Sequence, residues 1–129
     1  MNAKEFKERT KSYGLRVVRL FESLPRTGGA PILGRQLLRA GTSVAANYRA
    51  ACRAKSRADF ISKIGTVEEE CDESLFWIEL LTDAGYIKPA RVTELKREGE
   101  EILALTVASI NTARRAGKSA IRNPQSAIG

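Results

Sequence analysis

The chain has no histidine, and among its 129 residues it has only two cysteines, one tryptophan and one methionine. Each scarcity excludes a class of chemistry. A carboxylate-bridged di-metal site in a helical bundle needs Glu-x-x-His motifs on facing helices, and none can exist here. Two cysteines without a histidine cannot complete a tetrahedral zinc site. The phosphate-loop, nucleophile-elbow and zincin patterns (GxxxxGK[ST], GxSxG, HExxH) are absent as well. No catalytic residue, metal ligand or cofactor is therefore expected, and the chain reads as a non-enzyme. Nor does any stretch approach the ~20 apolar residues of a membrane span. No apolar run follows a charged start, so the cytoplasm is the default compartment. Both Cys52 and Cys71 fall at apolar helix positions and are expected to be reduced and core-facing.

Acidic residues are scarce in one part of the chain and crowded in another. Residues 1–57 hold 13 Lys/Arg against 3 Asp/Glu, residues 58–84 hold 1 against 8, and residues 85–129 hold 8 against 4. The formal net charge is +7. An excess of this sign favours acidic partners, chiefly nucleic acid, and the acidic middle suggests charge pairing within or between chains.

What is abundant is helical periodicity. Phe6, Tyr13, Val17, Leu20 and Leu24 form one seam, and the breaker cluster Pro25–Pro31 ends that helix. A second helix is predicted from Pro31 to about Ala54. Ser56 is placed to cap a third, with Asp59 three residues on. Along it Phe60, Ile64, Val67, Cys71, Ser74, Ile78 and Leu81 step alternately by four and three, the spacing of near-parallel helix packing. Gly85 suits the helix end, and Pro89 the start of a fourth helix with Val92, Leu95, Gly99, Ile102, Thr106 and Ala113 on its seam. Nothing reads as a strand. The expected fold is all-α: a single-domain antiparallel up-down four-helix bundle over residues 1–117, followed by a flexible basic tail over 118–129.

The second helix carries the functional signal. On a wheel at about 100° per residue, Arg35, Arg39, Arg49 and Arg53 fall within about 40° of one line. Leu37, Gly41, Val44, Tyr48 and Cys52 take the opposite face. No acidic residue occurs between Pro31 and Arg57. The arginines would form an outward row about 27 Å long, and guanidinium groups so spaced suit phosphates. With Arg57 they are the candidate nucleic-acid-binding residues. No aromatic is interleaved, so contacts to RNA or DNA backbone with little sequence preference are expected. Gln36, Ser43 and Asn47 make a boundary stripe that could bond across a neighbouring helix or specify a subunit contact. Trp77, just off the third seam, is expected at a subunit interface or against the first helix. The run Glu68–Glu73 is expected to pair with arginines, inside the bundle or across a subunit boundary.

These motifs resemble a known family. Gln36-Leu37-x-Arg39, then Ser43-Val44-Ala45-x-Asn47, the Ser56-Arg57-x-x-Phe60 entry to the third helix, and the acidic block around Glu69, Glu70 and Glu73 before "LLTDAGYI" are similar to the bacterial proteins encoded in intervening sequences of 23S rRNA genes. The resemblance covers roughly residues 4–115. Many members have Ile-Ala-Glu-Gly after the asparagine, where this chain has Tyr48-Arg49-Ala50-Ala51 and so lacks the acid while carrying an arginine. The resemblance implies a homo-oligomer, typically a pentamer. It also implies kinship with the accessory variability protein of diversity-generating retroelements, which binds nucleic acid and a reverse transcriptase. The alternative is a scaffold whose basic face docks an acidic protein.

Overall fold

The computed structural model describes residues 1–122, the side chains of 119–122 excepted. Four helices follow in order: α1 (Ala3–Glu22), α2 (Ala30–Ala51), α3 (Arg57–Asp83) and α4 (Pro89–Arg122). Helix α4 runs through the boundary drawn at 117, so Lys118 is helical. Residues 123–129 of the expected tail lie outside the described residues. Among the described residues there is no strand, and no helix is long and apolar enough to cross a membrane.

Local chemistry sets the helix ends. The Asn2 side chain accepts the Glu5 amide at 2.8 Å to start α1, and Ser56 accepts the Asp59 amide at 3.0 Å to start α3. Both satisfy an amide that the helix cannot pair internally. At the end of α3 the Tyr86 amide donates to the Leu81 carbonyl and the Gly85 amide to that of Thr82, both at 3.0 Å. This double closure needs a left-handed residue, and Gly85 supplies it with φ of 85°. The Tyr86 hydroxyl then accepts the Gly29 amide at 3.0 Å, tying the α3–α4 turn to the α1–α2 turn.

Helix α1 packs on α2, α2 on α3 and α3 on α4, while α4 closes on α1 at longer range. The α3 seam is buried from Ile64 to Leu81, and Phe60 at its start is half-buried. Tyr13, Leu37, Ile64, Ile78, Leu81 and Ile102 are the bulkiest fully enclosed side chains. Close approach of α1 and α2 depends on glycine: a Cβ on Gly41 would lie 2.7 Å from Val17. Across the middle of the core, Tyr13 on α1 reaches Ser74 on α3 at 2.8 Å, and the Cys71 thiol donates to the Gly99 carbonyl of α4 at 3.3 Å.

The expectation for Cys52 is corrected. Helix α2 ends at Ala51, about three residues earlier than expected, and Cys52 is its exposed cap. Tight turns carry the chain away, with the Arg53 amide bonded to the Ala50 carbonyl and that of Ala54 to Ala51. A wheel extrapolated past the last helical residue no longer says which way a side chain points.

Candidate nucleic-acid interface

The expected row of arginines is divided among three surroundings. Arg39 crosses to α3, where its guanidinium meets Glu70 at 3.0 Å and Glu73 at 2.6 Å. Glu73 also accepts the Trp77 indole N–H at 3.2 Å. The acidic run thus pairs with an arginine inside one chain, and Arg39 is a cross-link between helices rather than a free guanidinium. At 48% side-chain exposure the pair adds little stability, but it removes Arg39 from the outward row. Arg35 sits about four turns from Arg49, in a recess with Arg26 and Glu22 beside the α1–α2 turn. Arg57, at the start of α3, lies along Gly117 of α4.

Arg49 and Arg53 remain together, and α1 supplies what helix α2 alone could not. Lys7 and Lys11 stand opposite them across a groove of about 540 Å³ floored by Ala45 and Ala46. Phe6 and Tyr48, with ring centroids 4.6 Å apart at 79°, fix the two helices just beneath. The lysines are spaced i, i+4 along α1, an advance of about 6 Å. The arginines have the same spacing in sequence, from the last turn of α2 to just past its end. Among the described residues none of the four has a carboxylate within 4.0 Å. All four are exposed.

The topology concentrates charge around this groove. Up-down order places the start of α1, the end of α2, the start of α3 and the later part of α4 at one end of the bundle. Residues 1–12, 45–66 and 106–118 there hold twelve Lys/Arg against three Asp/Glu. The remaining described residues up to 105 hold nine against twelve. The molecule is therefore polar along its length, with a strongly cationic end that attracts polyanions from a distance set by salt.

The boundary stripe turns inward on its own helix. Ser43 donates to the Arg39 carbonyl at 2.7 Å and Asn47 to the Ser43 carbonyl at 2.8 Å, while Gln36 is exposed. Among the described residues neither Ser43 nor Asn47 bonds across to a neighbouring helix. Trp77 is partly buried at the edge of the core and stacks edge-on against Phe76, with centroids 5.0 Å apart. Its indole N–H is directed to Glu73, which Arg39 ties to α2. Phe76 itself is 50% exposed.

Lys7 and Lys11 were missed by sequence reasoning. Their i, i+4 spacing was visible, but only the packing of α1 on α2 shows that they face Arg49 and Arg53. The fold and site define an antiparallel four-helix bundle with one cationic end. The chain belongs to the 23S rRNA-intervening sequence protein family, whose model matches residues 4–108. It is similar to a crystal structure of a protein of unknown function from the S23 ribosomal protein family of Bacteroides thetaiotaomicron. The two are 32% identical with a TM-score of 0.80, over 86% of this chain and 99% of that chain. No curated protein matches the chain. Arg114, Arg115 and Lys118 at the cationic end lie beyond the family match.

Proposed function

We propose that the protein is a non-enzymatic nucleic-acid-binding protein that holds the phosphate backbone of RNA or DNA against its cationic end. The observation that carries this is the groove of Lys7, Lys11, Arg49 and Arg53, four exposed cations without carboxylate partners among the described residues, in a region of twelve Lys/Arg and three Asp/Glu. Its floor is alanine, which offers no stacking surface and no base-edge hydrogen bond. Affinity then comes from counterion release and is indifferent to sequence. Assembly belongs to the same proposal. The exposed Phe76 beside Trp77 suits burial between subunits, and the family resemblance supports a cyclic homo-oligomer, most simply a pentamer. A ring would repeat the cationic end and raise avidity. A reverse transcriptase as protein partner, and a role beside a retroelement, rest on the resemblance alone.

The test is a salt titration of duplex RNA binding by the wild type and by Lys7→Glu/Arg49→Glu. The variant should bind every sequence more weakly and lower the slope of log affinity against log salt by about 0.9 for each phosphate it no longer neutralises. Unchanged affinity and slope would leave the groove a solvated surface and favour the scaffold reading, in which the basic face docks an acidic protein. Light scattering should give a multiple of 14.2 kDa, and a monomer would remove the assembly from the proposal.

A further inference from the structure

The opposite end of the bundle carries a second cationic recess on a different face. Arg16 and Arg19 of α1 and Arg91 of α4 line a groove of about 210 Å³ whose floor is Leu20, Val92 and Leu95. Those three apolar side chains are at most 6% exposed. Among the described residues none of the three arginines has a carboxylate within 4.0 Å. Glu98, one turn beyond Leu95 on α4, is engaged by Arg9 through two hydrogen bonds, at 2.8 and 2.6 Å.

Two of these placements differ in electrostatic sense. Arg19 lies in the last turn of α1, where the helix dipole favours a cation. Arg91 lies in the first turn of α4, where the dipole disfavours one, and no acidic residue occupies that turn to offset it. The two helix poles at this recess are of opposite sign and offset each other, so its positive potential comes from the three guanidiniums. Charges flanking a low-dielectric floor act more strongly on a ligand than charges on an open surface.

We propose that Arg16, Arg19 and Arg91 form a binding site for a phosphoryl group, separate from the α1/α2 groove. Guanidinium forks match the oxygens of such a group bidentately. The absence of an aromatic from the lining assigns the recess to the phosphoryl group rather than to a base. The site does not depend on the α1/α2 groove binding nucleic acid. The two recesses face different sides of α1, one toward α2 and the other toward α4.

Pyrophosphate is a suitable probe, with calorimetry at low salt on the full chain. The wild type should bind it saturably. Arg16→Gln/Arg91→Gln should bind about tenfold more weakly for each guanidinium removed. Arg19→Gln, at an exposed position, should lose affinity too and guards against misfolding of the double variant. Affinity unchanged in both arginine variants, or no saturable binding by the wild type, would overturn the proposal. A second arm uses a short RNA duplex. If the Arg16→Gln/Arg91→Gln variant lowers its salt slope, the phosphoryl group is that of a nucleic-acid backbone. If only pyrophosphate binding falls, it belongs to a small free ligand. Failure of the Lys7→Glu/Arg49→Glu test would leave this site standing.

Discussion

The buried hydrogen bond between Tyr13 and Ser74 spans the diagonal of the bundle, and its removal should be costly in an asymmetric way. Tyr13 and Ser74 are both fully enclosed. Ser74 donates its hydroxyl hydrogen to the Cys71 carbonyl at 2.7 Å. Its oxygen is therefore free to accept, and the Tyr13 hydroxyl, 2.8 Å away, is the donor. Ser74→Ala strands that phenol in the core, close to Gly99: a Cβ on Gly99 would sit 2.9 Å from the Tyr13 oxygen. The expected loss is about 1–3 kcal/mol, the cost of an unsatisfied buried donor. Tyr13→Phe removes the donor itself and leaves Ser74 bonded to Cys71, so it should cost only about 0.5–1.5 kcal/mol. In the double variant nothing is left stranded. Its loss should fall short of the sum of the two singles by about 1 kcal/mol. Urea unfolding followed by circular dichroism, at one protein concentration because assembly would shift the midpoint, measures all three. A Ser74→Ala variant as stable as the wild type, or strict additivity, would refute the donor assignment and the claim that this pair holds the diagonal.

Two further outcomes are expected. In the native protein one thiol should react with an alkylating reagent near pH 8, namely the exposed Cys52, while Cys71, pushed up to about 12 by burial and then by Asp72, should react only after unfolding; mass spectrometry of the labelled peptides checks this. Trp77 is the only tryptophan, so its fluorescence should report Glu73, whose carboxyl is held below the usual glutamate range by the Trp77 N–H and then by Arg39. A depressed carboxyl pKa stabilises the fold above the unfolded-state value and loses that contribution as pH falls through the folded-state value, so the fluorescence change should be centred below the usual glutamate range and move upward in Arg39→Gln; identical midpoints in the two proteins would count against the pairing.

The fold was largely legible because a seven-residue alternation of fours and threes constrains almost every position on α3. Ile64, Val67, Cys71, Ser74, Ile78 and Leu81 are all buried. Ser74 shows the limit of that legibility: periodicity places it inside, but only the structure supplies Tyr13 as its partner from another helix. The caps were equally readable, since Ser56 with Asp59 and Gly85 before Pro89 are local chemistry. Cys52 was not readable, because a helix end shifted by about three residues changes an inward position into an exposed cap. Helix α4 extends to Arg122, a few residues past the bundle end expected at 117, because a helix once nucleated adds residues without a new apolar seam.

The arginine row is divided for a reason that the wheel itself contains. Arg39 and Arg49 lie about 40° to either side of the outward line. In an isolated helix that difference is negligible. In a bundle the outward face of α2 is flanked by two grooves, and an offset of this size sends a long side chain into one or the other. Arg39 leans toward α3 and finds Glu70 and Glu73. Arg49 leans toward α1 and finds Lys7 and Lys11 across a floor of alanine. The sign of the offset therefore decides whether an arginine is neutralised or joins a cationic cluster, and that sign acquires meaning only once the hand of the bundle is known. A helix whose charges look uniform in one dimension becomes a strut on one side and a candidate phosphate clamp on the other. The same reasoning makes Arg39→Glu a poor probe of binding, since it would repel two α3 carboxylates, and makes Arg49→Glu the informative substitution.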